Sequence, residues 1–217
     1  MPSLDSITFD TTGLIPQGDK NGVRVWQTPS GDGVGIYFFP IPPDILADIN
    51  SPESLSAFYG NMIAEAKNIT GISIDSMNID GCIFVKMIIK VPQQPFGMSY
   101  IGSLTLPFRN FSFVVKMQCA ERGTTGMRES FVVDELMGKS EIKIDKSGRL
   151  EGWEKPSFST RPDAWKINRA EAVEYDERFP IHPLSILRRT LDQIESSIKV
   201  SDEVKKEPKF SYPKNGG

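Results

Sequence analysis

Residues 104–136 read LTLPFRNFSFVVKMQCAERGTTGMRESFVVDEL, and this stretch decides the fold class. Phe111, Phe113, Val115, Met117 and Cys119 alternate with Ser112, Lys116 and Gln118, so one face of an extended segment is apolar and the other polar. That is the pattern of a strand buried on one side. A polar, glycine-flanked turn follows at once, and then a helix is predicted over 125–137.

Working outward, period-two alternation recurs at 7–12 (ITFDTT), 23–28 (VRVWQT), 34–39 (VGIYFF), 72–79, 82–91 (CIFVKMIIKV) and 98–106. In 82–91 the alternation places Ile83, Val85, Met87, Ile89 and Val91 together on one face. Short turns separate these runs, with Ser30-Gly31-Asp32-Gly33 and Asp80-Gly81 carrying hairpin chemistry. Strands joined so closely must pair antiparallel, because parallel neighbours need long crossovers. Between them lies a helix opened by Ser51 as N-cap and Pro52 at the first helical position. Leu55, Phe58, Tyr59, Met62, Ile63 and Ala66 form its apolar stripe. The expected architecture is α+β: an antiparallel sheet of six to seven strands packed between helices over residues 1–137, with a C-terminal helical extension.

Residues 138–200 form that extension. Trp153, Phe158, Trp165, Tyr175 and Phe179 are expected to anchor it across the domain. A final helix over 183–199 carries Leu184, Leu187, Leu191, Ile194 and Ile198 at a 3-4-3-4 spacing. This stripe covers the sheet, or else serves as a homodimer seam. Residues 201–217 have the composition of a frayed, disordered tail.

Net charge is −3 and the pI is near 5.4, which argues against a nucleic-acid binder. The charge is uneven: residues 1–137 carry 9 Lys+Arg against 14 Asp+Glu, and residues 138–217 carry 16 against 14. No apolar run approaches the ~20 residues of a membrane span, and no secretory signal is read at Met1-Pro2-Ser3-Leu4-Asp5. A cytoplasmic address follows as the expectation, with Cys82 and Cys119 as buried, reduced thiols.

The chemistry-bearing residues are sparse. The turn Arg122, Gly123, Thr124, Thr125, Gly126 with Arg128 has the makings of an anion site at a helix N-terminus, although the plainer reading is that Thr124 or Thr125 caps the helix while the glycines turn the chain. It matches neither the P-loop nor the dinucleotide-binding pattern. His182 is the single histidine, and one histidine with two strand-buried cysteines cannot assemble a zinc quartet. No catalytic residue, cofactor or metal is expected. Phe179, His182 and Leu184 lie in a segment that reads as a docking element for a protein partner.

The strand and helix order βββ-α-ββββ-α resembles the PsbP-like α/β/α sandwich of photosystem II accessory proteins, a Ran-binding import factor and DcrB-type proteins. The stretches SPESLSAFYGNMIAEAKN, GCIFVKMIIKV and FSFVVKMQCAERGTTGMRES carry the likeness. It implies a fold and a tendency to bind proteins without catalysis. The expected role is that of a non-enzymatic interaction or accessory protein. One alternative is a small-ligand binder with a helix–sheet cleft lined by Phe58, Met62, Met87 and Met117; another is an immunity or antitoxin partner of a basic toxin.

Overall fold

The computed structural model describes residues 1–66, 68–155, 158 and 166–212. Seven strands make the main sheet: β1 (Ile15–Lys20), β2 (Val23–Gln27), β3 (Gly33–Phe39), β4 (Thr70–Ile79), β5 (Cys82–Pro92), β6 (Met98–Pro107) and β7 (Ser112–Ala120). Their spatial order is β1-β2-β3-β7-β6-β5-β4, and every pair is antiparallel. The Asp80-Gly81 turn has φ of 51° and 80°, the left-handed pair that a two-residue hairpin demands.

Two helices sandwich the sheet. Helix α1 (Pro52–Glu65) starts where Ser51 Oγ accepts the Ser54 N–H at 3.1 Å. It buries Leu55, Tyr59 and Ile63, and with Ile45, Ala47 and Ile49 forms a core over Val85, Met87 and Ile74 on one face. Helix α3 (Pro183–Ser197) covers the opposite face, where Leu184, Leu187 and Leu191 are fully buried among Tyr100, Leu104, Phe113, Val115 and Met117. Gly102 permits the close approach: a Cβ there would lie 2.3 Å from Leu191 Cδ1. The 3-4-3-4 stripe is thus spent inside the chain. A dimer seam through it would require opening the core.

Four expectations are corrected. The first strand-like run does not join the main sheet; Ile7–Thr8 pairs instead with Lys199–Val200 in a separate ladder. The true edge strand is β1, whose sequence IPQGDK shows no alternation. An edge strand pairs on one side only, so it tolerates Pro16 and a bulge between Pro16 and Gly18. Next, the helix predicted over 125–137 forms as α2 (Met127–Gly138), yet it does not layer the sheet. Val132 and Leu136 instead build a satellite core with Ile142, Ala170 and Tyr175, and α3 takes the place on the sheet.

The third correction concerns the cleft drawn from Phe58, Met62, Met87 and Met117. Met117 is fully buried beneath α3, Met87 lies on the α1 side, and Met62 is 45% exposed, so the four line no common space. Lastly, residues 201–212 do not fray. Helix α4 (Asp202–Lys205) buries Val204, Lys209 bridges to Phe108, and Arg109 N–H donates to Pro208 O at 3.0 Å. Trp165 and residues 213–217 lie outside the described residues. No helix among the described residues is long and apolar enough to cross a membrane.

Candidate functional site

The ends of β5, β6 and β7 meet the N-termini of α2 and α3, and there the chain gathers titratable groups that its apolar runs conceal. Lys90, on β5, shares the sheet face of Phe84 and Ile88 and is buried. Its Nζ pairs with Glu171 Oε1 at 2.6 Å, while Glu171 Oε2 accepts the Asn168 N–H at 2.8 Å. Tyr100, on β6, is fully buried. Glu121 follows the last residue of β7 and prolongs the ladder, since its N–H donates to Met98 O at 2.9 Å and its Oε2 accepts the Met98 N–H at 2.8 Å.

The turn after Glu121 brings the chain into α2. Gly126, with φ of 72°, is the N-cap and cannot cap through a side chain. Its N–H donates instead to Glu121 Oε1 at 3.1 Å. The chain therefore supplies its own carboxylate to this helix N-terminus. Glu129 sits in the first turn of α2. From α3 comes His182, whose Nδ1 accepts the Leu184 N–H at 3.2 Å and whose ring stands edge-on to Tyr100 with centroids 5.4 Å apart.

Glu121, Glu129 and His182 each offer one atom within 4.8 Å of the others. His182 Nε2 lies 3.8 Å from Glu121 Oε1, beyond hydrogen-bonding distance. Among the described residues, His182 Nε2 and Glu129 Oε2 are buried without a hydrogen-bond partner. Burial holds the Glu129 carboxyl above its usual range, and the charges of Glu121 and Glu171 push it further. Burial first, and then the Arg128 charge, lower His182 to about 4. Tyr100 is raised, chiefly by burial.

A cavity of about 260 Å³ opens beside this group, lined by Lys90, Met98, Tyr100, Glu121, Glu129 and Asn168 among others. An adjoining cavity of about 190 Å³ shares Lys90, Met98 and Asn168 and adds Trp153 and Lys166. A larger, open groove of about 800 Å³ runs past Asp176, Glu177, Arg188 and Arg189. Its central charges are already paired, because Asp176 binds both Arg128 and Arg188.

The residues singled out from sequence are placed as follows. Arg122 turns away from α2, donating to Ser30 O at 2.7 Å and pairing with Asp32 at 2.9 Å. Arg128 is 1% exposed and donates to Ala170 O, Ala172 O and Ser185 Oγ. The two arginines do not converge. Gly123 and Thr124 are exposed, whereas Thr125 and Gly126 line the cavity. With the Gly126 N–H taken by Glu121, the turn is not organised for an external anion. Phe179 packs in the satellite core, Leu184 lies in the main one, and His182 caps α3, so all three face inward.

Sequence reasoning missed Lys90, Tyr100, Glu121, Glu129, Asn168 and Glu171. One signal was available: Lys90 shares parity with Phe84 and Ile88, so an inward lysine was implied inside an apolar run. The acidic residues carried no such mark among the 28 available.

No family model matches the chain, and no curated protein matches it. Among solved structures it is similar to a protein from Bacteroides thetaiotaomicron, at 11% identity and a TM-score of 0.32, over 54% of this chain and 39% of that one. It is also similar to the cyanobacterial PsbP of Synechocystis sp. PCC 6803, at 14% identity and a TM-score of 0.31, over 62% of this chain and 89% of that one. Likeness at these scores fixes neither family nor function, and the α+β sandwich described above rests on the strands and helices themselves.

Proposed function

We propose that the protein is a non-catalytic binding module whose small-ligand seat is the polar cavity at the N-termini of α2 and α3. The observation that carries this reading is a cavity of about 260 Å³ whose lining gathers the polar side chains of Lys90, Glu121, Thr125, Glu129 and Asn168. Buried polar groups ordinarily find partners, and each left open costs about 1–3 kcal/mol.

Catalysis is disfavoured by how the other groups are committed. Glu121 already accepts two backbone N–H groups, Lys90 is held by Glu171, and His182 is a weak base with Nδ1 occupied. None is left as an activated nucleophile or a base poised near neutrality. Cys119 is held as a thiol by burial, and both cysteines are unpaired, which suits a reducing compartment. Thermal unfolding in the presence of a library of small polar metabolites tests the reading. A ligand at a hundred times its Kd raises Tm by about 5 to 10 °C. A library without effect at millimolar concentration overturns it.

A second reading, docking of a protein partner, draws on the sheet's outer face. α1 covers the β4–β5 half only. Over β2, β3 and β7 the outward residues Val23, Tyr37, Phe39 and Val114 meet no helix among the described residues. Tyr37 and Phe39 stack in parallel with centroids 6.2 Å apart, and Phe39 is 42% exposed. Tyr37→Ser with Phe39→Ser would abolish partner capture while leaving cavity binding intact; capture that survives both changes removes this reading.

A further inference from the structure

We infer that Glu121 and Glu129 share one proton, and that this carboxyl pair is a pH-sensitive latch fastening the first turn of α2 to the sheet. The two side chains and His182 each bring one atom within 4.8 Å of the others, and the His182 Nε2 and Glu129 Oε2 atoms of this corner are closed to solvent. Two carboxyl groups so close together and away from water do not both ionise, so one of them keeps a proton. Hydrogen bonding decides which. Both oxygens of Glu121 are already engaged, Oε2 by the Met98 N–H at 2.8 Å and Oε1 by the Gly126 N–H at 3.1 Å. Glu129 Oε2 has no partner among the described residues, so the proton rests on Glu129.

The neighbours neither take that proton nor replace its charge. His182 Nδ1 accepts the Leu184 N–H at 3.2 Å, which places the imidazole proton on Nε2. The ring therefore turns a donor, not a lone pair, toward Glu121 and Glu129. Lys90, from β5, is bound to Glu171 at 2.6 Å, so that pair brings no net charge. Arg128, next along α2, is turned to Asp176, Ser185 and the carbonyls of residues 170 and 172, and Arg188 is likewise held by Asp176. Tyr100, from β6, is kept a neutral phenol by burial. The Glu129 N–H and the helix N-terminus favour an ionised Glu129, but burial together with the Glu121 charge outweighs them and holds the carboxyl above its usual range.

The latch follows from which element carries each carboxyl. Glu121 stays with Met98 at the end of the sheet, whereas Gly126 and Glu129 belong to the start of α2. With Glu129 protonated, the bond from Gly126 N–H to Glu121 holds the two together. In an opened form Glu129 meets water and ionises in the ordinary carboxylate range, while the closed form keeps its proton to higher pH. Opening therefore releases a proton, and it becomes more favourable as pH rises through that interval. His182, lowered to about 4, is already neutral there and does not oppose it. Glu121, Thr125, Gly126 and Glu129 also line the cavity of about 260 Å³, so one wall of it moves with the proton.

Two measurements on the full chain test the inference. In the unaltered protein, the side-chain carboxyl carbon of Glu129, assigned through its own backbone signals, is followed by NMR across pH. It should titrate above the ordinary glutamate range, and titration at or below that range overturns the inference. Amide hydrogen exchange is then read from about pH 5 to 8 and corrected for intrinsic base catalysis. The protection factor of Gly126 should fall, at its steepest by about tenfold for each pH unit. Met98, which stays with Glu121, and Ile36, in the middle of the sheet, should hold level. In Glu129→Gln the protection of Gly126 should hold level too. Three results overturn the latch: protection of Gly126 that ignores pH, an equal fall at Ile36, or an equally steep fall in Glu129→Gln.

Discussion

Among the described residues Arg128 is the bulkiest fully buried side chain, and its guanidinium is held by Asp176, Ser185 and the carbonyls of residues 170 and 172. It ties α2 to the start of α3. Asp176 would keep Arg188, but the buried acceptors at Ala170, Ala172 and Ser185 would lose their donor, so Arg128→Ala should cost about 2–3 kcal/mol in urea unfolding. Arg128→Lys should recover only part, because an ammonium cannot reproduce the planar fork. His182 makes a pH prediction. Its folded pKa, about 4, lies below the ordinary 6.5, so the unfolded chain binds the proton more readily. Stability should therefore rise with pH between about 4 and 6.5, with this side chain contributing roughly 2–3 kcal/mol across the window. His182→Asn keeps a capping side chain and removes the titration; a stability–pH curve of unchanged slope would refute the assignment. Glu129 has the opposite sign. Its pKa is raised, so ionising it opposes folding, and Glu129→Gln should stabilise the protein at neutral pH and leave acid stability nearly unaltered.

The contact of α3 with the sheet turns on Gly102, paired with Met117 across β6 and β7. Leu191 and Leu187 both press on this position and neither is exposed, so Gly102→Ala should cost about 1–3 kcal/mol by overpacking. Combined with Leu191→Ala, the loss should be smaller than the sum of the two single changes; additive losses would show that the two do not touch. The elements also show what periodicity can and cannot reveal. Strands β3 to β7 announced themselves because each buries one or both faces, and α3 because its leucines repeat at helical spacing. Strand β1 left no trace because residues 15–19 are all exposed and so carry no apolar alternation, unlike the other edge strand, β4. The 125–137 segment was legible as a helix but not as a satellite one. Its apolar residues say that something covers them, not what.

At the scale of the molecule, the residues of the cavity come from β5, β6, the β7–α2 turn, the first turn of α2 and residue 168, and this dispersal hid the site from the sequence. No single local motif holds the chemistry. The same dispersal predicts that α3 is not an appendage: a chain ending at residue 182 exposes Tyr100, Leu104, Phe113 and Met117 and should show no cooperative thermal transition by circular dichroism. A sharp melt of that fragment would show that the sheet stands alone. The ladder joining Ile7–Thr8 to Lys199–Val200 carries a further consequence. During synthesis the amino-terminal segment leaves the ribosome long before its mate is translated, and β7 must wait some sixty residues for the leucines that shield it. The nascent chain is thus obliged to carry a bare greasy surface until α3 emerges, which makes it a natural client for chaperones that guard half-made proteins.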